Sequence, residues 1–467
     1  MLFSSISFLY FFLPVVLGLY FAVPKRFKNI VLLVSSLVFY FYGEQSNVWL
    51  LLFSSAVGYA VGLVVNKFRG SGKAKLALVF SITLNLLILG FFKYSNFLID
   101  IVNALVGTSL APIRVSLPLG ISFFIFQTIS YNVDVYRDSV PTSKNFLDFT
   151  MYVSMFPQLV AGPIVRYHTV AQELHERKHT VNNFSVGIGR LITGLAKKVI
   201  IANALGELSP TMLAVGQTTV LSSWLSILAY VLQIYFDFSG YSDMAIGLGR
   251  MFGFHFPENF NYPFIAQSIS EFWRRWHISM GTWFREYIYI PLGGNRVSKL
   301  KWIRNIFIVW FCTGLWHGAN WNFILWGLYF GVLLAVEKLV LGKILDRFPR
   351  WLRHVYTMVL VFMSFILFHI ENLPDMLTHI GQMFGAGGIA LADVPSLYYL
   401  KSYALLLIIA CIGSTDLPKN MMESLKNKEK WGAVMAIVQP VAYALMLLVV
   451  TGYLIDATFN PFLYFRF

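Results

Sequence analysis

Apolar runs close to twenty residues long recur from one end of this chain to the other. A run of that length is what a helix needs to cross roughly 30 Å of hydrocarbon. Only 12% of the 467 residues are charged and 57% are hydrophobic, so the backbone polar groups must be satisfied within the membrane, as helices or a closed barrel. Runs of this length select helices. The reading is an all-α, polytopic integral membrane protein, a single transmembrane domain over 1–467 with no internal repeat or low-complexity tract. The opening Met-Leu-Phe-Ser-Ser has no basic residue before its apolar run and reads as a retained span rather than a cleaved signal. Cys312 and Cys411 lie in apolar surroundings, which excludes a disulfide framework and a cysteine metal site.

The net charge of +14 reads as a positive-inside bias and not as a nucleic-acid surface. Lys25, Arg26 and Lys28 follow the first apolar run, and Lys67, Arg69, Lys73 and Lys75 follow the third. The link after the second run is Glu44-Gln45-Ser46-Asn47. This alternation places the N-terminus outside and the basic loops in the cytoplasm. The run 76–99 then leads outward and 118–136 returns. The stretch 146–165 lies between two basic regions, and its Pro157 and Ala161-Gly162-Pro163 suit a broken, re-entrant path. The run 199–214 leads out again and 221–246 returns to a connection, 250–304, with eight Lys or Arg residues.

Beyond that connection, 306–316 is apolar but spans only about 17 Å as a helix. It meets His317-Gly318-Ala319-Asn320, and a second run, 321–336, leads back to Lys338, Lys343, Arg347, Arg350 and Arg353. His317 is therefore expected at a turn within the membrane, reached from the cytoplasm. Further runs lie at 355–370, 403–412 and 433–455. From 354 to 400 there is no Lys or Arg but there are Glu371, Asp375 and Asp393, which marks an outside loop. The balance is about ten crossings plus two re-entrant segments, with both termini outside.

Polar residues inside such a protein are costly and are the first candidates for chemistry. His317 leads, because a neutral imidazole takes a proton from a hydroxyl and passes it on; the alternative is a packing histidine bonded to a carbonyl. Trp316 and Trp321 flank it as possible walls, and Gly314 and Gly318 permit close backbone approach. The aromatic and basic segment 270–287 suits a helix at the membrane interface. Read as one helix, it brings Trp273, Arg274, His277, Met280 and Gly281 onto a single face, where a cation and an imidazole can hold a phosphate-bearing carrier or steer a thioester. Asp237 interrupts a long apolar helix and either orients a histidine, pairs with a cation or accepts hydroxyl hydrogen bonds, the structural role being favoured. Asn259 and Asn261, with Pro257 and Pro263, read as a capped turn without chemistry. His168, His175 and His179 read as solvated surface, not as a metal site, and the chain has no P-loop, dinucleotide fingerprint or zincin pattern.

These residues stand in a longer order of motifs. It runs from Tyr235-Phe-Asp-Phe-Ser-Gly-Tyr-Ser-Asp243 and on to Arg250, through Pro257-Glu-Asn-Phe-Asn-Tyr-Pro263, to Glu271-Phe-Trp-Arg-Arg-Trp-His-Ile-Ser279. Trp283-Phe-Arg-Glu-Tyr-Ile-Tyr-Ile-Pro-Leu-Gly-Gly-Asn-Arg296 and Gly314-Leu-Trp-His-Gly-Ala-Asn320 follow, with a matching start, Leu2-Phe-Ser-Ser, and a matching ending over 460–467. The chain thus resembles the membrane-bound O-acyltransferase (MBOAT) family, in the subgroup around the bacterial alginate O-acetyltransferase membrane subunit. The resemblance implies helices and re-entrant segments around a central tunnel, with His317 and His277 as the catalytic pair. Asp237, Trp273, Arg274, Arg275, Trp316 and Asn320 are the supporting residues.

The resemblance further implies a bacterial cytoplasmic membrane location, no bound cofactor or metal, and acetyl-CoA or an acyl-carrier-protein thioester as the donor. An extracytoplasmic SGNH-hydrolase-like partner and a cytoplasmic acyl carrier are the implied partners, and no nucleic acid. The implied activity is relay of an acetyl group across the membrane to an exported polysaccharide such as alginate. His317 would act as base or through an acyl-enzyme, and His277 would position or polarise the thioester carbonyl. The alternatives are D-alanyl transfer of the teichoic-acid type, lipid acylation, and a transporter or flippase of an acylated carrier.

Overall fold

The computed structural model describes residues 2–214 and 216–456, with backbone alone at 429 and 430. The 460–467 ending that shares in the family resemblance lies outside the described residues. Every regular element among the described residues is a helix, as the apolar runs require. The chain divides into two compact units, Met1–Leu191 with Ser242–Glu258, and Ile192–Tyr241 with Asn259–Phe467.

The first unit contains α1 (Leu13–Ala22), α2 (Lys28–Glu44), α3 (Val48–Lys67), α4 (Gly72–Val106), α5 (Ile121–Tyr136), α6 (Phe146–Ser154) and α7 (Phe156–Leu159). Lipid gives such helices no hydrophobic reason to associate, so small and polar side chains have to draw them together. They do so along one seam of α3, α4 and α5. Ser54 Oγ donates to Asn85 Oδ1 at 3.1 Å, Asn85 Nδ2 to the Ser81 carbonyl at 2.9 Å, and Asn132 Nδ2 to Ser81 Oγ at 2.7 Å. The 146–165 stretch is broken as expected: α6 stops at Met155 and α7 restarts with Pro157 in its first turn. Gly162, at φ +113°, then turns the chain hard against Ala245. His179 corrects the solvated reading. It is half-buried, with Nε2 2.9 Å from the Tyr20 hydroxyl, which itself donates to the Phe252 carbonyl at 2.8 Å.

Two long helices pass from one unit's residues into the other's: α8 (Val181–Ala196) and α10 (Val220–Met251), with α9 (Asn203–Ala214) between them. The second unit continues with α11 (Ile269–Arg275), α12 (Ile278–Phe284), α13 (Lys299–His317), α14 (Trp321–Val336), α15 (Arg350–His369), α16 (Leu373–Met383) and α17 (Val394–Gly413). Its core is aromatic and includes Tyr235, Phe272, Trp276, Trp310, Trp326 and Phe365.

Seven helices among the described residues are long and apolar enough to cross a membrane, fewer than the ten crossings counted from the sequence. The difference has identifiable sources. The stretch Lys25–Lys67, which holds both α2 and α3, counts once, and the first apolar helix, Ser7–Ala22, together with α5 and α9, of 16 and 12 residues, falls short of the length. The His317 hairpin is also longer than expected. The basic start of α13 belongs to the helix, giving 19 residues, or about 28 Å. The helical stretch Trp321–Leu345 has 25 residues, or about 37 Å. The short re-entrant arm inferred from 306–316 is thus replaced by two full-length arms, because a helix whose end is charged reads as a loop.

Candidate active site

The 270–287 segment is not one helix. α11 is held at its start by carboxylates and a hydroxyl: Ser268 Oγ accepts from the Glu271 N–H at 3.0 Å, and Glu271 Oε2 from the Gln267 N–H at 2.9 Å. Glu337, buried beyond the end of α14, accepts from the N–H groups of Ile269 at 2.7 Å and Ser270 at 3.1 Å. These acceptors satisfy backbone donors that a helix start leaves open. The helix then breaks at Trp276-His277, and α12 begins at Ile278. The single face shared by Trp273, Arg274, His277, Met280 and Gly281 therefore does not form. Both cations are engaged locally. Arg275 bonds Glu271 Oε1 at 2.9 Å and the Asn261 carbonyl at 3.1 Å, and the exposed Arg274 bonds the Ser270 carbonyl at 3.3 Å.

The break turns His277 inward, to 0% exposure. Its ring lies edge-on to Phe238 at 4.7 Å and 5.8 Å from Trp316, centroid to centroid. Nδ1 is 3.0 Å from Asn259 Oδ1, and Nε2 is buried with no hydrogen-bond partner among the described residues. Burial holds the imidazole well below its ordinary range, at about 3, because a low-dielectric surround disfavours the charged ring.

His317 is the last residue of α13. Helices α13 and α14 approach so closely that a Cβ on Gly314 or Gly327 would strike the Phe323 or Trp310 carbonyl. The turn is closed by Asn320, whose Oδ1 accepts from the Trp321 N–H at 2.6 Å. The buried His317 ring packs against Trp316 at 5.0 Å, Trp326 at 4.9 Å and Phe368 at 5.3 Å. Trp316 is thus a wall common to both histidines. Trp273 belongs to the next layer, against Trp310 at 4.6 Å and Trp326 at 5.6 Å. Trp321, the other expected flank, is 57% exposed.

Asp237 lies on α10 and forms a buried ion pair with Lys198, at 2.6 Å. Of the three roles open to it, the structure selects pairing with a cation. Sequence reasoning passed over Lys198, Asn259, Trp326 and Glu337. Only Lys198 and Glu337 carried a signal, each being a charge at the edge of an apolar run.

Residues 40–377 match the model of MBOAT, the membrane-bound O-acyltransferase family. The chain belongs to this family. It is 38% identical over 499 residues to the probable alginate O-acetylase AlgI of Azotobacter vinelandii, with all of both chains covered. The corresponding protein of Pseudomonas aeruginosa is 43% identical over 401 residues, covering 84% of this chain and 77% of that one. The peptidoglycan O-acetyltransferase of Helicobacter pylori is 34% identical over 432 residues, covering 84% and 82%.

This membrane-bound O-acyltransferase is accordingly a multi-pass membrane enzyme. Chemically, the site sets two imidazoles against a buried aromatic wall. An imidazole in such a setting accepts a proton without competition from water, and fixed N–H dipoles act more strongly there than in solution. The indole of Trp326, packed on His317, supplies such a dipole, its N–H group being buried without a partner among the described residues.

Proposed function

We propose that the protein takes an acetyl group from a thioester on the cytoplasmic side of a bacterial cytoplasmic membrane and passes it toward an extracytoplasmic acceptor, for O-acetylation of an exported polysaccharide such as alginate. The observation that supports this reading is the Trp316 ring, which packs against both buried histidines, His277 and His317, in a chain whose full-length relatives are named O-acetylases. The acceptor hydroxyl oxygen attacks the thioester carbonyl carbon, the carbon–sulfur bond breaks, and the thiolate leaves with the electron pair. His317 takes the hydroxyl proton as the carbon–oxygen bond forms. An acetyl-CoA or carrier-protein thioester is the donor, and an extracytoplasmic SGNH-hydrolase-like protein completes the transfer.

The test is transfer of label from radiolabelled acetyl-CoA to alkali-labile ester in membranes holding matched amounts of parent or His317→Ala protein. The expected result is loss of ester label by at least about 100-fold with insertion unchanged. Full label in His317→Ala would reduce the residue to packing. No ester label from the parent, with flux of an acylated carrier still present, would point to transport.

A further inference from the structure

His277 holds a backbone conformation that a side chain adopts only under constraint. Its φ of 44° and ψ of 52° lie in the left-handed region, which a non-glycine residue enters only at a steric cost. Asn259 supplies the constraint. Its carbonyl accepts from the Ile278 N–H at 2.9 Å, and two residues later the Asn261 N–H donates to the Arg275 carbonyl at 2.9 Å. The chain is thus bonded on both sides of the break.

The Asn259 side chain settles which imidazole nitrogen carries the hydrogen. Its Oδ1 receives the Ser279 backbone N–H at 3.3 Å and the Ser279 hydroxyl at 2.8 Å. A backbone N–H only donates, so this atom is the amide oxygen and not the nitrogen. His277 Nδ1, 3.0 Å from the same oxygen, must then be the protonated one. A neutral imidazole has a single N–H, which leaves Nε2 as a bare lone pair. The surroundings keep the ring neutral: Phe238, Phe260 and Trp316 pack on it, and none is charged. The Asp237 carboxylate, next to Phe238 in sequence, is taken up by Lys198, and His317 stands beyond Trp316.

We propose that Asn259 is a positioning residue that locks His277 in the Nδ1–H tautomer, and that the lone pair of Nε2 accepts a hydrogen bond from a second, non-reacting hydroxyl of the polyol acceptor; this rests on the acyl-transfer reading above. The task differs from the carbonyl-polarising one expected of His277, since this ring has no N–H left to give. A donor for a carbonyl oxygen is available in the indole of Trp326, 4.9 Å from His317, ring to ring. His317 still takes the proton of the reacting hydroxyl, and His277, by holding the neighbouring hydroxyl, fixes the direction from which the reacting oxygen attacks.

The experiment compares the full-length parent with Asn259→Asp and reads acetyl transfer from acetyl-CoA between about pH 6 and pH 9. Aspartate keeps an oxygen for all three donors but adds a charge that protonates His277, converting Nε2 from acceptor to donor. The expected result is a kcat lowered about tenfold near neutrality and restored as the pH rises, with KM for acetyl-CoA unchanged. Equal or higher activity at neutral pH would mean that a donor is what the reaction needs, and a loss independent of pH would mean that Asn259 only braces the fold. Either outcome overturns the proposal. A second measurement needs no activity: histidine 15N spectra of the labelled protein, with the His277 signals identified by subtracting His277→Gln. A proton on Nε2 overturns the tautomer. A bare Nε2 in a parent that forms no ester overturns the acyl-transfer reading, and the hydroxyl assignment with it.

Discussion

A charge buried in this protein has to be met by its counter-charge, and the Lys198–Asp237 pair is the clearest case. Both side chains are almost fully buried, 2.6 Å apart. Their attraction offsets a desolvation penalty that neither meets alone. Lys198→Met should therefore leave Asp237 uncompensated and destabilise the protein by about 3–5 kcal/mol, whereas Lys198→Met with Asp237→Leu should regain most of that. Thermal unfolding in detergent reads the difference, and equal midpoints for single and double variants would remove the pairing argument. At this scale the sequence was partly legible. His317 and His277 stood out because an ionisable group among apolar neighbours has few bland explanations. Asn259 did not, since an asparagine between two prolines is an ordinary turn until the chain it clamps is known. Trp326 was hidden among aromatics that together make up 17% of the chain.

Elements were legible where a local rule decided them and illegible where a distant group did. The helix expected over 270–287 has the right spacing throughout, so nothing local announces the break at His277. The break exists because Asn259 and Asn261 hold its two sides and because Glu337, more than sixty residues later, caps α11 from outside. Glu337 gives the corresponding prediction. Glu337→Gln keeps the shape but loses the charge that strengthens two backbone hydrogen bonds, at a cost of about 1.5–3 kcal/mol. The α11–α12 segment should loosen first, seen as faster amide hydrogen exchange over 269–277 with the α13–α14 hairpin unchanged. Uniform exchange across the unit, or none, would show that the carboxylate does not anchor this element. The hairpin itself was foreseen, but its arms were cut short, because Lys299, Lys301 and Arg304 read as loop and prove to be helix.

For the whole molecule, the membrane class was legible from composition alone, since a chain this apolar has few other solutions. The crossing number was not, because short, kinked or charged helices hide from a length rule. Burial on this scale also fixes how the fold answers to acid. His277 is held near 3 by desolvation, and His179 and His379 are lowered in the same direction, His179 by desolvation first and then by Lys28 and Arg177. Above pH about 6.5 these rings are neutral in both folded and unfolded chains, and their contribution to stability is complete. As the pH falls below that value the unfolded chain binds protons that the folded one refuses, so stability declines, and for His277 the decline continues toward about 3. His277 alone should remove about 2 kcal/mol between pH 6.5 and pH 5. The measurement is the unfolding midpoint of the detergent-solubilised protein across that interval, for the parent and for His277→Gln, which cannot titrate. The parent should lose stability more steeply, and the gap between the two slopes isolates His277 from every carboxylate that also titrates on the way down. Parallel slopes would mean that the folded ring takes up its proton over the same range as the unfolded one, and a charged imidazole cannot present a lone pair to a hydroxyl.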